Sequence, residues 1–211
     1  MADFEGMAQA VLDMDGDKVE ELVGQAVKEG ATPEEIIDTG LIVGMEKVGV
    51  LFKGGTLFIP EVLAATQAMK KGLAIVDPLL KGRKRTSVGL VVLGTVQGDI
   101  HDIGRSLVGT MLEASGFEVI DLGNDVAPGV FVQKVSELSP QIIGMSALLT
   151  NTMPNMKVTI DHLKEAGVRD QVKIIVGGSS VSPRFAEEIG SDGTAIDAVT
   201  AVDLAKSLLW V

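Results

Sequence analysis

The sequence predicts an α/β chain in two parts, an N-terminal four-helix bundle over residues 1–80 and a flavodoxin-like, doubly wound parallel sheet over 87–211. Three observations predict it. Residues 1–80 repeat apolar side chains with a helical period and carry no strand pattern. From Ser87 onward, short continuous apolar runs alternate with segments of helix length, the pattern of parallel strands covered on both faces. Between the two lies the basic run Lys81-Gly82-Arg83-Lys84-Arg85, flanked by segments of net charge −8 and −7, which marks 81–86 as a linker.

The four helices are expected near 3–13, 17–29, 33–50 and 60–80. Asp15 or Asp17 can cap the second, and Gly30 can end it. The third opens with Thr32 as N-cap, Pro33 in the first helical position and Glu35 completing a capping box. The fourth opens at Pro60 and repeats Val62, Thr66, Met69, Leu73, Val76 and Leu80, a seam suited to bundle packing. In the second part, strands are expected at 88–95, 117–122, 141–146 and 172–176, with a fifth near 194–198. Helices near 104–115, 128–138, 155–166, 183–189 and 201–209 separate or follow them. The simplest sheet order for this alternation is 2-1-3-4-5.

Composition narrows the function classes. A net charge of −11 argues against nucleic acid and acidic membrane surfaces, which need basic footprints. The chain has no cysteine, which removes disulfides, iron–sulfur ligation and thiolate zinc sites. No apolar run is long enough to span a membrane, and the acidic start does not resemble a secretory signal, so a cytoplasmic protein is expected.

In a sheet of this order, ligands gather beyond the carboxyl ends of strands 1 and 3, which places 96–104 and 146–152 at the expected site. His101 lies in the first of these loops, two residues after Asp99 and next to Asp102. A carboxylate at Asp99 can accept from one imidazole nitrogen and leave the other for a metal. Gly98 and Gly104 permit a close approach or an unusual backbone angle. Ser146, Thr150 and Thr152 bring hydroxyls to the same rim, and Gly177-Gly178 removes side chains after strand 4. His162, sixty residues away on an amphipathic helix, is read as an ordinary surface or core histidine.

Asp99-Ile100-His101-Asp102-Ile103-Gly104, then 41 residues, Ser146-Ala147-Leu148, then 28 residues and Gly177-Gly178, resembles the DxHxxG…SxL…GG signature of cobalamin-binding domains. The N-terminal bundle, with the stretch LFKGGTLFIPEV at 51–62, resembles the helical cap that accompanies this domain in methionine synthase and in corrinoid proteins of anaerobic methyltransferase systems. The resemblance implies a cobalamin or related corrinoid bound with its nucleotide tail drawn off cobalt, His101 as lower ligand and Asp99 as its hydrogen-bond partner. Thr152 matches the relay hydroxyl, where the family often has serine. Ser146 and Leu148 match the lining of the tail channel, and Gly177 and Gly178 leave it space. Phe52 and Ile59 match cap positions over the upper face, the second commonly leucine.

The implied function is that of a methyl carrier, not catalytic alone, whose cobalt cycles between Co(I) and methyl-Co(III). It would receive a methyl group from a donor methyltransferase and pass it to an acceptor methyltransferase with a pterin or thiol acceptor, with a reductive activator to recover oxidised cobalt. The sequence does not choose among methanol, methylamines, methoxyaromatics and betaines as methyl source. A cobalamin storage or sensing protein is the alternative function. Receiver domains share the sheet order but need an acidic phosphoacceptor pocket, where this chain has Met145-Ser146. Adenosylcobalamin mutases need a substrate barrel of about 250 residues, for which the chain has no room.

Overall fold

The computed structural model describes residues 2–80 and 87–209; the expected linker at 81–86 lies outside them. The chain divides into two compact units, the first running up to Ser87 and the second holding most of the chain from Val88 on. Among the described residues, no helix is long and apolar enough to cross a membrane.

The first unit is helical. Helix α1 (Phe4–Leu12) is capped by Asp3, and α2 (Gly16–Lys28) by Asp15, whose carboxylate accepts from the Lys18 amide at 2.9 Å. The third helix opens at α3 (Pro33–Glu35) with the expected Thr32–Glu35 capping box, and continues without a break through a π-helical stretch, Ile36–Leu41, into α4 (Ile42–Lys53). The helical period did not foretell the π-helical turn. Glycines on its inner side explain the close fit there: a Cβ on Gly40 would lie 3.0 Å from Met7 Sδ, and one on Gly44 would lie 2.7 Å from Val11 Cβ. Helix α5 (Ile59–Val76) buries Val62, Thr66, Met69 and Val76 of the expected seam, with Leu73 half-buried. It gives way to a 3-10 turn, Asp77–Leu80, where Pro78 has no amide proton to continue the helical hydrogen bonds.

The second unit is a five-stranded, all-parallel sheet in the order β2-β1-β3-β4-β5. Its strands are β1 (Leu90–Thr95), β2 (Glu118–Asp121), β3 (Ile142–Ser146), β4 (Lys173–Gly177) and β5 (Gly193–Ala195). The helices between and after them are α6 (Ile103–Ala114), α7 (Pro128–Leu138), α8 (Pro154–Glu165), α9 (Pro183–Ile189) and α10 (Ala198–Leu209). Helix α10 starts three residues before its expected position because Asp197 caps it, its carboxylate accepting from the Thr200 amide at 2.7 Å.

Both faces of the sheet are covered, which explains the unbroken apolar runs. Phe131, Met156, Ile160 and Leu163 pack with Ile143, Met145, Ile174 and Val176 in one core cluster. On the other face, Leu93 and Leu204 lie against glycines: a Cβ on Gly109 would be 3.2 Å from Leu93, and one on Gly193 would be 2.9 Å from Leu204. The strand register aligns Thr95, Ser146, Gly177 and Ala195 in one row across the carboxyl end of the sheet. The loops that leave this row form the rim of the site.

Gly44→Ala is expected to destabilise the helical unit by about 1–3 kcal/mol, since the added methyl has the Ala8 carbonyl oxygen at 2.9 Å as well as Val11 to displace. Equilibrium denaturant unfolding measures this, and an unchanged midpoint would show that α1 and α4 yield without cost.

Candidate functional site

The loop from β1 to α6 carries Asp99 and His101 on a tight turn. Gly98 takes φ +83°, a left-handed conformation that favours glycine, and donates its amide to Asp125 Oδ1 at 2.7 Å. This turn points the Asp99 carboxylate into the protein, where the residue is fully buried, while the His101 side chain stays 44% exposed. Asp99 Oδ1 accepts from the His101 amide at 3.1 Å and meets His101 Nδ1 at 2.7 Å. Oδ2 accepts from the Thr152 hydroxyl at 2.6 Å and from the Leu148 and Leu149 amides at 2.9 and 3.3 Å. Burial acts to raise the Asp99 pKa, but donation from Thr152, from the amide and ring of His101 and from Leu148 outweighs it and holds the group well below the usual carboxylate range. Asp99 is therefore an anion. In the neutral imidazole tautomer that this pairing favours, Nδ1 carries the proton and Nε2 the lone pair.

The expected site residues fall into four groups. Asp99, His101, Leu148 and Thr152 are joined by the hydrogen bonds above, and Gly98 makes the turn. Asp102 is exposed at the start of α6, where its carbonyl accepts from the Ser106 amide at 2.8 Å. A Cβ on Gly104 would meet nothing within 4 Å, so its face is open. Ser146 ends β3, with its carbonyl accepting from the Val96 amide at 3.0 Å, and Thr150 is exposed on the following loop.

The glycine pair after strand 4 serves the chain's own backbone. A Cβ on Gly178, at φ +126°, would come within 2.0 Å of the Ala147 carbonyl oxygen, and one on Gly177 would lie 3.3 Å from the Ala195 carbonyl oxygen. The remaining two residues, Phe52 and Ile59, belong to the helical unit: Phe52 is half-buried in the last turn of α4, and Ile59 is exposed at the start of α5.

Sequence reasoning missed the other wall of the site. Asn124 donates to the Ile100 carbonyl at 2.9 Å, the Asp125 amide to the Asp99 carbonyl at 3.0 Å, and Asn155 to the Gln97 carbonyl at 2.7 Å. Arg105, 7% exposed, reaches Thr95 and Asn124 from α6. Asp121 at the end of β2 and Asn124-Asp125 just beyond it were the available signal, since β2 borders β1 in the expected sheet order.

Large apolar side chains stand in solvent here: Ile100 and Ile103, close to the histidine in sequence, are 74% and 81% exposed, and Leu148 and Leu149 on the loop after β3 also lie open. Among the described residues, no three His, Cys, Asp or Glu side chains converge as a metal cage. One protein nitrogen beside exposed aliphatic surface and an open glycine fits a metal whose remaining ligands come with a flat, largely apolar macrocycle.

Comparison with known proteins agrees with this geometry. Residues 89–203 match a family model described as a B12 binding domain, and residues 3–77 match a second model described in the same words. The chain belongs to this family of corrinoid proteins, and its cofactor is a cobalamin or related corrinoid. It is 46% identical to the trimethylamine corrinoid protein of Methanosarcina barkeri over 205 residues, covering 96% of this chain and 94% of that one. A cobalamin-binding protein from Desulfitobacterium hafniense DCB-2 superposes with TM-score 0.84 at 34% identity, over 99% of each chain. A methanol:cobalamin methyltransferase complex, MtaBC from Methanosarcina barkeri, superposes with TM-score 0.88 at 30% identity, over 97% of this chain and 78% of that one.

The Asp99 anion links stability to pH. Its lowered folded pKa means that its contribution is fully present above about pH 4, the ordinary carboxylate range, and is lost as pH falls below that towards the folded value. Asp99→Asn is therefore expected to be less stable than the parent at neutral pH, with a gap that narrows as the pH is lowered below about 4. Urea unfolding of the cofactor-free chain, followed by circular dichroism at several pH values, measures the gap. A gap independent of pH would show that the carboxylate's charge is not what its donors stabilise.

Proposed function

We propose that this chain is the methyl-carrying corrinoid protein of a methyltransferase system, with His101 as the lower nitrogen ligand to cobalt. One observation carries the reading: Asp99 engages His101 Nδ1 at 2.7 Å and leaves Nε2 on a half-exposed ring between the exposed Ile100 and Ile103. When bound, the corrinoid supplies a cobalt that alternates between a nucleophilic Co(I) form and a methyl-bearing Co(III) form. His101 presents Nε2 in one tautomer, because the anionic Asp99 requires a proton on Nδ1. Thr152, donating to Asp99 at 2.6 Å, helps to keep the carboxylate ionised.

The surrounding residues supply binding surface. Ile100, Ile103 and Leu148 offer apolar area to a macrocycle, and Gly104 leaves room for it. Gly98 and Asp102 shape the turn on either side. In this reading Ser146 and Thr150 line the nucleotide tail together with the backbone of Gly177 and Gly178, whose lack of side chains the fold itself already requires, and Phe52 and Ile59 form an apolar cover. The partners in this reading are a donor methyltransferase, an acceptor methyltransferase using a pterin or thiol, and a reductive activator. A relative named for trimethylamine at 46% identity, against a methanol complex at 30%, supports a methylated amine as the source of the methyl group.

His101→Ala, reconstituted with methylcobalamin, should show the spectrum of a cobalt without a lower nitrogen ligand, with cofactor affinity lowered about tenfold or less. An unchanged spectrum would remove His101 as the ligand. The carrier reading is tested by mixing Co(I)-loaded protein with methylated amines, with and without a methylamine methyltransferase. Methylation is expected only with the enzyme. Rapid, saturable methylation by the chain alone would make it an enzyme in its own right, and none under either condition would favour storage.

A further inference from the structure

Two sets of donors hold the His101 loop, one on the Asp99 carboxylate and one on its backbone carbonyls. The backbone carbonyls of Asp99, Ile100 and His101 accept, in order, from the Asp125 amide at 3.0 Å, the Asn124 side chain at 2.9 Å and the Thr95 hydroxyl at 2.9 Å. Three successive peptide units are fixed in this way. Two of the three donors depend on one further group. Arg105 Nη1 donates to Thr95 Oγ1 at 2.8 Å and to Asn124 Oδ1, so the Thr95 proton is directed at His101 and the Asn124 amide nitrogen at Ile100.

A guanidinium this deeply buried needs a counter-charge. Asp121 supplies it, with Oδ1 2.8 Å from Arg105 Nε as an ion pair, although the Nε proton is not aligned for a hydrogen bond. The planar guanidinium suits the task because Nη1 meets both Thr95 on β1 and Asn124 on the β2–α7 loop while Nε of the same rigid group faces Asp121. A lysine ammonium at the same place would be a single point charge on a flexible stem.

We propose that Arg105 is a positioning residue for the metal ligand: by ordering Thr95 and Asn124, it fixes the Ile100 and His101 carbonyls and so the height at which the imidazole is presented. The inference rests on the reading of His101 as lower ligand. Asp99 sets the ring's tautomer and direction through its side chain, and Arg105 sets the backbone from which the ring projects. The two controls act on different bonds of the same residue.

The test uses the full chain loaded with cob(II)alamin, whose electron paramagnetic resonance spectrum shows nitrogen superhyperfine splitting when an imidazole is bound. The parent should show the splitting and His101→Ala should lose it; a parent without it would overturn the ligand reading, and the inference with it. Given a positive parent, Arg105→Met should reduce the nitrogen-coordinated fraction at least threefold while changing the cobalamin Kd less than threefold. Arg105→Lys should fall between Arg105→Met and the parent. In the cofactor-free protein, amide hydrogen exchange at residues 98–101 should accelerate at least tenfold in Arg105→Met.

Asn124→Ala, on an exposed loop, removes one arm of the same network and should lower the coordinated fraction in the same direction, so the inference remains testable if Arg105→Met does not fold. Parent-like splitting in the variants that fold would overturn the proposal. A loss of splitting matched by an equal loss of cobalamin binding would overturn it as well, since that marks general collapse of the site.

Discussion

A carboxylate withdrawn from water must have its lone pairs met by donors, and the functional edge of the sheet unit is organised around doing this for Asp99. Five donors converge on it, from two loops that are almost fifty residues apart in sequence. Hydrogen bonds to an ionised group are each worth about 1.5–3 kcal/mol. Removing any one leaves a buried charge short of a partner, so the loop after β1 and the loop after β3 cannot shift independently. The imidazole inherits its orientation and its tautomer from that requirement.

The sheet order makes such convergence possible. β1 lies between β2 and β3, so the loop at its carboxyl end has a neighbour on each side. The β3 side supplies the amides of Leu148 and Leu149 and the Thr152 hydroxyl, all to the Asp99 side chain. The β2 side supplies Asn124 and the Asp125 amide, both to backbone carbonyls, while the Asp125 carboxylate accepts from the Gly98 amide. A loop held from both sides leaves little freedom to the one ring that remains exposed.

Glycines at this edge answer two different demands. Gly98 and Gly178 have positive φ, and Gly178 also lies where any side chain would strike the Ala147 carbonyl. These positions are set by the chain itself. Gly104, in ordinary helical backbone with open space beside it, has no such internal reason. In the proposed corrinoid site the exposed Ile100 and Ile103 on either side of the histidine would be covered by the macrocycle, which favours binding because aliphatic side chains gain nothing from water.

What the sequence determined by itself was local. Thr32, Pro33 and Glu35 contain the whole capping box within four residues, and the alternation of apolar runs with helices contains the parallel sheet, because both depend on short-range periodicity and neighbouring side chains. The pairing of Asp99 with His101 was equally legible, two residues apart on one turn. Tertiary structure decided what depends on distant segments meeting. The π-helical stretch at Ile36–Leu41 lies where Gly40 packs against Met7 of α1, the fit at Gly178 depends on a carbonyl thirty-one residues earlier, and the link from Arg105 to Asn124 spans nineteen residues and a strand. An arginine on a helix reads in sequence as a solvated charge. Only the fold, by burying it between Thr95, Asn124 and Asp121, turns it into a support for the loop that carries the histidine.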